Sequence, residues 1–152
     1  MSGREKVAGV DAMLQALRAS GPDPGLRDQL MLFGQFVGSW DVEVVNVQPD
    51  GTEKRRSAEW HFGWVLQGRA IMDVWICPRR EDPSGDEPYE YGATIRFYDA
   101  EIQAWRSTWI GPMRCTVRPF IARQIDSEIV LEGSFSEGTI TRSCASSSPC
   151  KA

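Results

Sequence analysis

Six tryptophans, all lying between Trp40 and Trp109, constrain this chain more than any other feature. Trp60 and Trp64 are four apart, as are Trp105 and Trp109, a spacing that keeps each pair on one face of either a helix or a strand. The neighbours decide between the two. Val, Ile, Thr, Tyr and Phe surround the rings, and Gly63, Gly68, Gly92 and Gly111 punctuate them, which favours strands. Each indole carries an N–H that needs a partner when buried. A β-rich shell lined by such rings has the character of a container.

The pattern along the chain supports strands. Trp40, Val42 and Val44 alternate with Asp41 and Glu43, and Pro49-Asp50-Gly51 supplies turn chemistry. A second strand, Glu53 to Trp64, sets Ala58, Trp60, Phe62 and Trp64 on one face and Ser57, Glu59 and His61 on the other. After Gln67-Gly68 a third runs from Arg69 to Cys77, then a polar loop, Pro78 to Pro88, is expected to be mobile. Tyr91 to Tyr98, Ala104 to Ile110, Arg114 to Arg123 and Glu128 to Gly133 continue the series. Strands joined by short turns with no intervening helix pair antiparallel. The expected fold is therefore all-β, an antiparallel meander closing into a β-barrel, since closure removes exposed edges.

The N-terminal part reads differently. Asp11 to Arg18 is a helix candidate, broken by Gly21-Pro22-Asp23-Pro24-Gly25. Asp23 followed by Pro24 marks a helix start, and Leu26, Leu30, Phe33 and Val37 recur at helical spacing, giving a short helix from Leu26 to Phe36. The chain thus divides into an arm over 1–25, a barrel domain over 26–142, and a Ser/Cys/Pro tail over 143–152 that is expected to be disordered.

Composition narrows the function classes. A net charge of −4 with a pI near 5.1 argues against a nucleic-acid surface. Lys54-Arg55-Arg56 and Arg79-Arg80 are the basic clusters, and both read as solvated strand ends or loops. No apolar run of membrane-spanning length and no secretory leader is visible, so a cytoplasmic location is expected. Cys77, Cys115, Cys144 and Cys150 lack metal-ligand spacing, and with a single histidine no metal site is expected.

A short helix running into Gly38-Ser39-Trp40 resembles the opening of lipocalin-like barrels, which implies a ring across a barrel floor closed by that helix. The run Trp60-His61-Phe62-Gly63-Trp64-Val65-Leu66-Gln67-Gly68-Arg69, with Asp73-Val74-Trp75 and Tyr91 to Asp99, is similar to the bacterial lipocalin-like domain of unknown function labelled DUF1579. The similarity extends from about Leu30 to Thr141 and implies a calycin-type barrel without an agreed activity. It also implies further strands after Thr141, where this chain enters its tail, so an open edge and a homodimer through it are expected. Haem-binding calycins of the nitrobindin type use a late histidine. None follows His61 here, and no cofactor is expected.

The candidate ligand-binding residues are Trp60, Trp64, Arg69, Trp75, Arg96, Tyr98, Trp105 and Trp109. The rings offer stacking area; Arg69, Arg96 and Arg118, if they turn inward, form a set that pairs with Asp73 or Glu59 or binds a carboxylate. His61, as the one imidazole, is the candidate base, with Asp73 or Glu59 to orient it. Three functions stay open: a binder of a small hydrophobic or aromatic ligand; a calycin-type isomerase, cyclase or decarboxylase on an aromatic or polyketide-like acid; and a ligand-free structural or assembly domain.

Overall fold

The computed structural model describes residues 10–86, 89–135 and 138–145. Two short helices, α1 (Val10–Leu17) and α2 (Arg27–Gly34), precede eight strands. These are β1 (Gly38–Val47), β2 (Glu53–Val65), β3 (Ala70–Cys77) and β4 (Glu90–Asp99), then β5 (Ala104–Gly111), β6 (Thr116–Ile125), β7 (Glu128–Phe135) and β8 (Gly138–Ala145). Every neighbouring pair is antiparallel and spatial order equals chain order, so the chain is an all-β meander. Among the described residues the ladder runs from β1 to β8 with no pairing between those two strands.

Register puts all six tryptophans on one side. Trp40 lies opposite Trp60 and Trp60 opposite Trp75, while Trp64 leads through Ile71 and Arg96 to Ser107, the neighbour of Trp105 and Trp109 on the same face. Residues directly opposite project to the same side of a sheet, which fixes this from the backbone alone. The side is concave: Phe62 and Trp64 of β2, Ile71 of β3, Trp105 of β5, Ala122 of β6 and Ile129 of β7 meet in one core with Leu30 and Phe33 of α2. A sheet whose strands from β2 to β7 converge on a single helix has curled into a barrel-like form, and α2 fills one end of it.

That helix is placed by local chemistry. The Asp23 carboxylate accepts from the Gly25 N–H at 2.8 Å, starting a 3₁₀ turn, Pro24–Leu26, that leads into α2. At its far end the Trp40 indole donates to the Phe36 carbonyl at 2.7 Å, tying helix to β1 across the floor. Between them, Gly34 lies so close to Trp64 that a Cβ would fall 2.7 Å from the ring. Glycine therefore permits the seat.

Three expectations take definite form in the structure. The arm expected over 1–25 is described from Val10 onward, and there it is laced to the β2–β3 turn: Ala19 N–H donates to the Trp64 carbonyl at 2.8 Å, Leu66 N–H to Leu17 at 2.8 Å, and Asp23 N–H to Gly68 at 3.0 Å. Gly68, with φ of +76°, presses its α-carbon against the Gly21–Asp23 backbone, where no side chain fits. Second, the tail does not begin at Ser143, because β8 continues through Cys144 to Ala145; residues 146–152 of that expected tail lie outside the described residues. Third, the described part of the Pro78–Pro88 loop is fastened to the sheet. Arg79 N–H donates to Ser57, the Ser57 hydroxyl to Asp82, and Arg80 grips Glu59 through its backbone N–H at 2.6 Å and its guanidinium at 2.8 Å.

Candidate functional site

The aromatic face has two unequal halves. Next to α2, Trp64 and Trp105 are buried, with Phe33 edge-on to Trp105 at 4.9 Å. Away from α2 the rings are open. Trp60 is 36% exposed, and Trp75 and Trp109 are half-buried. Trp60 meets Trp75 edge-on at 5.3 Å and Phe62 at 4.8 Å. Trp75 donates its N–H to Glu90 at 3.1 Å, and the Trp109 ring lies on the bare backbone of Gly92 and Gly111, where any Cβ would collide with it.

A buried ion pair separates the halves. Asp73 is 1% exposed and Arg96 4%. One Asp73 carboxylate oxygen takes Arg96 Nη2, and the other takes the Trp60 indole N–H at 2.8 Å. The Thr94 hydroxyl, directly opposite on β4, adds a further bond. Burial pushes the Asp73 carboxyl up from its ordinary value, opposed chiefly by the Arg96 charge, and burial pulls the Arg96 guanidinium down. A guanidinium does not lose its proton in proteins, and a lone buried cation is worse than a pair, so the two stand ionised together at neutral pH. The guanidinium carbon lies 4.6 Å from the Phe33 ring and 5.7 Å from that of Phe62, a cation held between aromatic faces. Its Nε and Nη1 have no hydrogen-bond partner among the described residues, nor has the buried Ser107 hydroxyl.

The pairing of Arg96 with Asp73 was one of those weighed from sequence; the rest of the polar set lies elsewhere. Arg69 falls in the turn before β3, exposed and ion-paired with Asp23 at 3.0 Å, because that turn takes up the residue assigned to the strand. Arg118 shares the aromatic face, opposite Trp109, but is exposed. His61 pairs in register with Val74, one residue out of phase with Asp73, and so points to the convex side. There its ring nitrogens meet Ser39 at 2.9 Å and Glu59 at 3.0 Å, with the side chain 35% exposed. No interior His61–Asp73 acid–base pair exists. Arg80, with smaller help from His61, holds the Glu59 carboxyl down at about 2. Tyr98 sits half-buried beside Trp105, ring to ring at 6.2 Å, as part of the packing near the plug.

Sequence reasoning passed over two features. Ser107 and Thr94 gain significance only from register, which no local pattern encodes. At the end far from α2, a polar cleft of about 720 Å³ opens between β2 and the 78–89 loop, lined by Arg56, Ser57, Arg79, Asp82, Ser84 and Tyr89 among others. Tyr89 lies between two guanidiniums there, Arg56 at 4.8 Å and Arg114 at 5.2 Å from its ring.

Among the described residues no cluster of histidine, cysteine or acidic side chains could hold a metal, and no helix is long and apolar enough to cross a membrane. The geometry defines a class: an all-β, barrel-like chain with one end filled by a helix and an aromatic wall at the other. Comparison with protein-family models, with curated proteins and with solved structures gave no match.

Proposed function

We propose that the chain binds a small, largely apolar or aromatic ligand on the open half of its concave face, in the manner of lipocalin-like barrels. One observation carries the reading: Trp60, Trp75 and Trp109 share that face and keep part of their rings accessible, while the helix takes up the other half. Monomeric proteins rarely leave so much aromatic surface together without a use for it. Stacking and area burial supply affinity, at about 25 cal/mol per Å² before ordering costs. Trp60 is preset for the task, since its bond to Asp73 fixes the ring. The test is a tryptophan-fluorescence titration with planar aromatic and aliphatic compounds. Quenching or a spectral shift that weakens in Trp109→Ala supports the reading, and an unresponsive spectrum across the panel removes it.

The isomerase-type alternative would have to draw on the His61–Glu59 pair, which lies on the convex side and away from the aromatic wall. The structural or assembly reading keeps an observation of its own: among the described residues β1 and β8 are the edges of the ladder, and Val45 and Val47 on β1 are exposed. Pairing of that edge with a second copy is compatible with ligand binding on the other face.

A further inference from the structure

We propose that Arg96 and Ser107 together recognise a neutral carbonyl oxygen on an aromatic ligand, an inference that rests on the ligand-binding reading above. The two residues lie directly opposite in the β4–β5 register, on the aromatic face. Arg96 spends Nη2 on Asp73, yet Nε and Nη1 are unpartnered among the described residues, as is the Ser107 hydroxyl. Both side chains are more than nine-tenths buried. Buried donors left unmade are costly, so this set is one that an acceptor completes.

Charge selects the kind of acceptor. Asp73 already balances the guanidinium, and it occupies the place that a ligand carboxylate would take. A second carboxylate would set two buried negative charges against one positive. A carbonyl brings two lone pairs and no net charge: one takes an Arg96 N–H, the other the Ser107 O–H. Trp109, two residues from Ser107 on the same strand face, then receives the ring attached to that carbonyl.

Three matched probes test this by calorimetry on the intact chain: 2-acetylnaphthalene, 2-ethylnaphthalene and 2-naphthoate. The ketone is expected to bind about tenfold tighter than the hydrocarbon, and the naphthoate weakest near pH 7. Ser107→Ala, which leaves the ion pair intact, should reduce the ketone's advantage several-fold and leave the hydrocarbon unchanged. The infrared carbonyl stretch of carbon-13-labelled ketone should fall on binding to the wild type, and fall less in Ser107→Ala. Equal affinity of ketone and hydrocarbon, with the hydrocarbon still bound, overturns the carbonyl assignment alone and leaves water as the partner of these donors. Preference for the naphthoate overturns it too. Failure of all three probes overturns both the assignment and the reading beneath it.

Discussion

Asp73 gathers donors from both neighbouring strands, Trp60 on β2 and Thr94 and Arg96 on β4, and each depends on the carboxylate being there. Removing one member of a buried pair strands the other, so Asp73→Ala should cost about 3–5 kcal/mol in denaturant unfolding. The double change Asp73→Leu with Arg96→Met should recover most of that loss, because well-packed apolar groups replace such pairs at little cost. If the double variant is no more stable than the single, the pair matters for something other than charge. Glu59 offers the opposite environment on the outer surface. Its carboxyl is held at about 2 against an ordinary 4.5, so its contribution is complete above 4.5 and fades as the pH falls towards 2. Glu59→Gln should therefore flatten the acid limb of a stability–pH curve, and an unaltered limb would assign it to other groups. At this scale alternation reads the phase of β2 correctly, with Trp60, Phe62 and Trp64 on one side and Glu59 and His61 on the other. Of the two partners that the sequence offers His61, it is Glu59 that lies within reach, at 3.0 Å. Asp73 stands opposite Phe62 and so projects to the other side of the sheet. Arg96 is one of three arginines offered to Asp73 or Glu59, and only cross-strand register selects it.

The element that most shapes the site is α2. Its Phe33 touches both the Trp105 core and the Arg96 guanidinium, so it packs the floor and covers the pair at once. Phe33→Ala should cost about 3–5 kcal/mol, seen as a melting temperature lower by roughly 2–4 °C per kcal/mol. Gly34→Ala, which sets a methyl against Trp64, should lower it as well. A melting curve unmoved by either change would show that the helix is not seated as described. This helix was legible because Asp23-Pro24 and the Leu26, Leu30, Phe33 spacing are side-chain signals with a direct physical cause. The lacing of the arm to the β2–β3 turn was not, since it is made of backbone bonds that leave no mark in residue type. The turn also explains the misplacement of Arg69: Leu66, Gln67 and Gly68 all adopt positive φ, which delays β3 by a residue.

For the whole molecule, alternation carried the architecture. Once Trp40, Trp60 and Trp75 share a face, the meander order forces the remaining rings to join them or break register. What alternation cannot reveal is how far along that face a helix intrudes, and so which rings stay open. Among the described residues no strand pairs with the outer edge of β1, where Val45 and Val47 are exposed, and this predicts association of copies. Light scattering at rising concentration should detect it, and Val45→Lys with Val47→Lys should suppress it, since edge lysines oppose strand pairing; a monomer at every concentration would sink that expectation. The arm has a consequence of a mechanical kind. Leu17, Ala19 and Asp23 are bonded to the tip that joins β2 to β3, and Trp64 sits at that same tip. A load applied to the amino end is therefore in series with the vessel's floor. Under an optical trap, leader and hairpin should let go in one rip rather than two.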